Sequence, residues 1–356
     1  MNSRIICVLS LSLTVALGAQ EAPAGAAYDP KTKAHERLAD LVGVWRTETE
    51  MAAMPGVPGM EKPTQMTGVE RAELICNGLW LHVAGEGTCA GQSCSSLWLL
   101  GYDPHAQTYQ CIVASSMDDT PCSIEARYDE KTRVWHFRGD SPMGAFRSEY
   151  VMEGADRSVE TCWSMGEDGK ETQFMRSVRT RLTGADAKNT SRAPAVEQPL
   201  HGDAVPAPLA ALHADVGTWH CDFRMAMQGQ EPMTAKCRET VEPICGGKWT
   251  WSTFTGDLMG APFEGHALTG YDSKTGQVVS FWVDSMNGAA MRTDGTFDAA
   301  SKTFTMKGTS YDEQGEKQKV ASTAKSLGKD QRELRMTFGE GERQHVMTIG
   351  YRRARD

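Results

Sequence analysis

The feature that most constrains this chain is that it carries one pattern twice. LADLVGVW ends at Trp45 and LHADVGTW ends at Trp219, 174 residues later. ELICNGLW (Glu73 to Trp80) returns as EPICGGKW (Glu242 to Trp249) at an offset of 169, and LLGYD (to Asp103) returns as LTGYD (to Asp272) at the same offset. Ser116-Met117 with Ser285-Met286, Asp129 with Asp298 and Gly139 with Gly308 keep that spacing. One shift of five residues between Trp45 and Glu73 reconciles the offsets, and MPGVPGMEKP (Met54 to Pro63) is its natural place. A period this long marks a duplicated domain, because solenoid repeats run about 20–45 residues.

Each copy opens with a short amphipathic segment, Lys33 to Leu41 or Ala207 to Asp215, and continues as short β-like runs between turn signals. In the second copy the runs are Thr218–Met227, Thr234–Glu242, Lys248–Gly256, Phe263–Tyr271, Gln277–Asp284, Ala290–Phe297, Lys302–Lys307, Lys317–Ala324, Glu333–Phe338 and His345–Tyr351. The spacing predicts an all-β chain: two tandem antiparallel β-barrels of about ten strands, each behind a short N-terminal helix. A barrel is preferred to a sandwich because meandering strands lose their edges only on closure. The copies span 33–182 and 207–353, with an Ala/Pro/Asp/Gly-rich linker over 183–206. At the front, Arg4 followed by an apolar run from Ile5 to Gly18 predicts a cleaved signal peptide over 1–20, with a disordered segment over 21–32. The run is shorter than the roughly 20 residues a membrane span needs, so no stable insertion is expected after cleavage. The chain is thus expected to be exported, periplasmic or extracellular. Its net charge of -9 argues against nucleic acid as a partner.

Ten cysteines, nine of them beyond the signal segment, suggest disulfides in an exported chain. Cys221 and Cys237 lie symmetrically about Gly229, Cys89 and Cys94 about Gly91-Gln92, and Cys111 and Cys122 flank a turn at Asp118 to Pro121; these three pairs are the disulfide candidates. Cys76 and Cys245 occupy equivalent positions. Two buried thiols beside Trp80 and Trp249 are preferred there to a bridge between the copies.

Gly43-x-Trp45 and Gly217-x-Trp219, each behind a helical segment, resemble the start of calycin-like barrels, where the Trp plugs one barrel end. The fuller set of HERLADLVGVW, ICNGLW and ICGGKW, LLGYD and LTGYD, and SFWVDSM resembles the bacterial family called domain of unknown function 1579 (DUF1579), over both copies. The resemblance implies a lipocalin-like barrel and brings no activity. The second copy fits better: where it has Val283-Asp284-Ser285, the first has Ala114-Ser115-Ser116.

No catalytic or cofactor motif stands out. H-E-x-x-H, C-x-x-C, H-x-H, G-x-S-x-G and phosphate loops are absent, so no metal site, cofactor or catalytic residue is assigned. Nineteen methionines, among them Met51, Met54, Met60, Met66, Met225, Met227 and Met233, read as barrel filling before they read as a copper site. Glu70 and Glu73, repeated as Glu239 and Glu242, point to opposite faces of a strand, so one of each pair could meet a buried arginine such as Arg127 or Arg292. The residues singled out for ligand binding are Trp219, Glu239, Trp249, Tyr271, Trp282, Asp284 and Arg292. The expected function is a non-catalytic binding module for a small apolar ligand. The alternatives are a structural or interaction protein of the cell envelope with side-chain-filled barrels, and, more remotely, a haem-dependent enzyme with His345 or His266 as axial ligand. Lumen volume separates the first two, since small-molecule pockets start at roughly 300 Å3.

Overall fold

The computed structural model describes residues 30–355 except 54–60, 90, 142–143, 167, 191–204, 227–230, 259, 313–314 and 342–343. The expected signal peptide, most of the linker and the turn at Gly229 lie outside the described residues.

The first copy comprises β1 (Gly43–Met51), β2 (Thr64–Ile75), β3 (Trp80–Cys89), β4 (Gln92–Asp103), β5 (Thr108–Ser115), β6 (Asp118–Asp129), β7 (Val134–Ser141), β8 (Gly144–Met152), β9 (Arg157–Met165) and β10 (Glu171–Leu182). The second comprises β11 (Gly217–Ala226), β12 (Met233–Ile244), β13 (Trp249–Leu258), β14 (Ala261–Asp272), β15 (Gln277–Asp284), β16 (Met291–Asp298), β17 (Thr303–Tyr311), β18 (Lys317–Gly328), β19 (Gln331–Phe338) and β20 (His345–Arg353). Each set is an antiparallel meander closed by its first and last strands, β1 on β10 and β11 on β20, so both copies are ten-stranded barrels. A 3-10 helix, Lys33–Leu41, precedes the first and an α-helix, Ala207–Ala214, the second. The linker also holds a short helix, Gly184–Asn189, which its composition did not predict.

The Gly-x-Trp motif explains itself at the closed end. Trp45 Nε1 donates to the Leu41 carbonyl at 3.0 Å, and Trp219 Nε1 donates to that of Asp215 at 2.8 Å. Arg181 and Arg353, on the last strands, lie 4.0 and 4.1 Å over the two rings. Both guanidinium groups donate to carbonyls of the preceding helical segment, Val42 and Asp40 in one copy and Val216 and Ala214 in the other. A Cβ on Gly217, at φ +124°, would lie 2.8 Å from the Arg353 guanidinium, so glycine leaves room for the stacked arginine.

The two barrels are joined by a shared core. Seven buried residues of the first (Cys76, Leu79, Trp80, Leu97, Leu99, Ile112 and Ala114) pack with seven of the second (Cys245, Trp249, Trp251, Leu268, Val279, Phe281 and Val283). Alternation along β3–β5 sends Leu81, Val83, Leu100 and Cys111 into the lumen, and their neighbours Trp80, Leu99 and Ile112 outward onto the other barrel. These strands are therefore buried on both faces and read as unbroken apolar runs, as in Leu97-Trp98-Leu99-Leu100. Five repeat-equivalent pairs contribute to this core: Cys76 and Cys245, Trp80 and Trp249, Leu99 and Leu268, Ile112 and Phe281, Ala114 and Val283. Equivalent faces of a duplicated domain thus form a pseudo-twofold interface. Cys76 and Cys245 are both buried, in the cluster that contains Trp80 and Trp249.

Candidate functional site

Among the described residues an arginine enters each lumen, fully buried in the first barrel and largely buried in the second. Arg179, only 3% exposed, is held in the first barrel by Glu70 (Nε to Oε2, 2.7 Å) and Glu160 (Nη2 to Oε2, 3.0 Å). Ser148 Oγ donates to Glu160, and the rings of Tyr150 and Trp98 lie 5.1 and 5.3 Å from the guanidinium carbon. In the second barrel Arg332 pairs with Asp215 (Nη1 to Oδ2, 2.7 Å) and Glu239, and lies between Trp219 and Tyr351. Burial lowers the basicity of both arginines, but the flanking carboxylates outweigh it and raise it overall. Burial raises the phenols of Tyr150 and Tyr351.

The arginine has changed strand between the copies. Arg179 on β10 faces Ser158 on β9, whereas on β20 its place is taken by Tyr351, facing Arg332 on β19. Both meet the glutamate at the same repeat position, Glu70 or Glu239. The inward glutamate was therefore legible in the sequence, but its partner was not. Arg127 pairs with Glu125 and Arg292 with Asp294, both on the outer surface.

The first lumen retains a cavity of about 40 Å3, bordered by Trp45, Glu70, Trp98, Trp135, Tyr150 and Arg179. Arg179 Nη1 has no hydrogen-bond partner among the described residues. Two larger hollows lie outside: about 490 Å3 on the outer face of β1–β3, beside Arg46, Arg71 and Glu86, and about 300 Å3 at the seam between the barrels, lined by Gln110, Ser123, Glu125, Phe281, Ala290 and Arg292.

The residues expected to form one ligand site are dispersed. Trp219 and Glu239 meet at Arg332 inside the second barrel. Tyr271 packs against the inner cluster of Leu209, Leu212, Val278 and Met306. Trp282 Nε1 donates to Asp284 Oδ2 at 2.8 Å, and Asp284 Oδ1 accepts the backbone N–H of Met286 and Asn287. Burial, working against these hydrogen bonds, holds the Asp284 carboxyl above its ordinary range. Trp249 faces the other barrel, and Arg292 lines the seam. Asp103 and Asp272 close their turns as expected, each accepting two backbone N–H groups on Oδ1.

The cysteine register departs from expectation. Cys221 faces Cys237 directly, but Cys94 faces Gly87, and Cys122 faces Val113 while Cys111 faces Ile124. The β3–β4 hairpin is centred one residue earlier than symmetry about Gly91-Gln92 requires, since Cys89 faces Gln92. Among the described residues no disulfide joins any of these three pairs. Met51 and Met66 pack with Cys89, Cys94 and Met175 in one barrel, and Met225, Met233 and Met347 with the core of the other.

Sequence reasoning missed one cluster at the barrel junction. Cys76 comes from the first copy, Glu264 and His266 from β14 of the second; their donor atoms all lie within 4.8 Å of one another. Glu264 Oε2 accepts the Cys76 backbone N–H at 2.8 Å, and Oε1 lies 3.0 Å from His266 Nε2. His266 Nδ1 is 3.2 Å from Thr253 Oγ1, and its ring is stacked on Trp251 at 4.7 Å, which in turn stacks on His82. Residues two apart on a strand share a face, so Glu264-x-His266 was a readable pair, but its third member is 188 residues away in sequence.

The family described as "Protein of unknown function (DUF1579)" matches residues 30–181 and 207–353. No curated protein matches the chain. Among solved structures, a DUF3598-family protein of unknown function from Nostoc punctiforme is 10% identical, with 91% of this chain and 100% of that one covered and a TM-score of 0.25. A transferrin binding protein B double mutant from Haemophilus parasuis is 8% identical over 88% of this chain and 76% of that one (TM-score 0.22). Kievitone hydratase from Nectria haematococca is 7% identical over 92% and 93% (TM-score 0.18). Likenesses at these scores carry no argument about function.

Proposed function

We propose that this chain, which belongs to the DUF1579 family of proteins of unknown function, is a non-catalytic interaction protein of the cell envelope that works through its outer surfaces. The observation that carries this reading is the lumen of the first barrel. Its free space of about 40 Å3 is far below the roughly 300 Å3 at which small-molecule pockets begin. The rest of that lumen is taken by Trp45, Trp135 and the Arg179 ion pairs, which favours the outer surfaces over an apolar ligand inside the first barrel. Export is supported by Arg4 and the apolar run from Ile5 to Gly18.

A second reading rests on the seam. The hollow of about 300 Å3 there is large enough for a small ligand, and it offers Arg292, Gln110 and Glu125 beside Phe281. Native mass spectrometry of the protein purified from its own host separates the two. A mass equal to the polypeptide alone supports the surface-interaction reading. A small molecule that co-purifies and is lost in Arg292→Ala moves the function to the seam, and one retained in that variant returns it to a lumen.

A further inference from the structure

We propose that Cys76, Glu264 and His266 form a divalent-metal site that ties the two barrels together, with zinc the best-fitting ion. A thiolate, an imidazole and a carboxylate are the donor types zinc takes, at about 2.3 Å for sulfur and about 2.0–2.2 Å for nitrogen and oxygen. Tetrahedral bonds of those lengths set donors roughly 3.3–3.8 Å apart. The three donors here already lie within 4.8 Å of one another, and two of them are 3.0 Å apart, so ligation needs side-chain shifts of about 1 Å.

The surroundings are arranged as ligands require. His266 turns Nε2 toward the site, and Thr253 Oγ1 at its Nδ1 can accept the N–H that fixes this tautomer. Trp251 stacked on the ring fixes its plane. The Cys76 N–H holds Glu264 Oε2 and leaves Oε1 for the ion. Cys76 is fully buried and His266 is 4% exposed, while the Glu264 side chain is 37% exposed and leaves a path for entry and for a water as fourth ligand. The charges balance, because one thiolate and one carboxylate neutralise a dication, which a largely buried site needs.

The pseudo-twofold supplies an internal comparison. The repeat positions of Glu264 and His266 in the first copy are Ser95 and Leu97. The mate thiol, Cys245, therefore lacks both ligands, and one site per chain is expected.

The test titrates cobalt(II), then zinc, into the reduced full-length protein. One equivalent of cobalt should produce a thiolate-to-cobalt charge-transfer band with the visible bands of tetrahedral cobalt, and one equivalent of zinc should abolish them. Cys76→Ser and His266→Gln should lose the band, Glu264→Gln should weaken cobalt binding at least about tenfold, and Cys245→Ser should retain it. Far-ultraviolet circular dichroism checks each fold; should Cys76→Ser not fold, His266→Gln and Cys245→Ser decide. Absence of the band at one equivalent, its survival in a folded Cys76→Ser or His266→Gln protein, or its loss in Cys245→Ser overturns the proposal.

Discussion

Gly101 and Gly270 have no side chains because Trp80 and Trp249 lie across them. A Cβ at either position would fall 2.5 Å from indole ring atoms. The Gly-Tyr-Asp of each copy is thus the floor on which the Trp of ICNGLW or ICGGKW rests. Gly270→Ala should destabilise the protein by about 1–3 kcal/mol through overpacking. Gly350→Ala, whose added Cβ meets nothing within 4 Å, should be neutral or slightly stabilising; urea melts of both variants check this. Asp284 gives a pH dependence. Its folded-state acidity is weakened by burial, so relative to an unfolded chain the neutral form is favoured. The stability it contributes is therefore complete below the ordinary aspartate value of 3.8 and is lost as pH rises through the raised one. Compared with Asp284→Asn, the wild type should lose urea stability progressively as pH rises from about 4 to neutrality. A difference that grows in the wild type's favour over that range refutes the assignment.

Among the strands, the sharpest contrast is between β10 with β9 and β20 with β19, where the lumen arginine sits on different strands yet reaches the same repeat glutamate. What the repeat keeps is the glutamate and the charge pair it makes, not the strand that supplies the arginine. Removing one partner leaves the others buried and unpaired. Arg179→Met should cost about 3–5 kcal/mol, and most of that should return when Glu70→Gln and Glu160→Gln are added. Thermal unfolding of the single and triple variants measures the difference; equal loss in both would mean that Arg179 acts by packing alone. The inward parity of Glu70 and Glu239 follows from strand alternation. The partner arginine does not, because nothing local tells which of several strand arginines faces the lumen, and Arg127 and Arg292 turn out to face solvent.

In the whole molecule, the barrels form one unit through faces that would be unstable in water. Trp249, Trp251, Leu268, Val279, Phe281 and Val283 cover the first barrel and would be exposed without it. Burial of such side chains is worth roughly 1.5–3 kcal/mol each, and an exposed patch of this kind seeks a partner. The second copy alone, 207–353, should therefore self-associate as a dimer through the same face, since a pseudo-twofold contact between copies becomes a true twofold between identical ones. Analytical ultracentrifugation should find that dimer, and Trp249→Asp with Phe281→Asp should return it to monomer. A monomeric wild-type fragment at tens of micromolar would show that the junction depends on the tether.

The sequence by itself determined the duplication, the strand count and the closure into barrels, because each rests on local periodicity, turn residues and motifs read along the chain; the Trp at the barrel end followed from the resemblance to calycin-like barrels. It also determined that Cys76 and Cys245 lie beside Trp80 and Trp249, four residues away in each copy. Only the tertiary structure decided which outward faces are covered, which arginine enters each lumen, and that Cys76 meets Glu264 and His266. Those facts depend on how strands 100 to 190 residues apart are brought together by closure and by docking of one barrel on the other. A strand's alternation specifies two faces but not what each will meet.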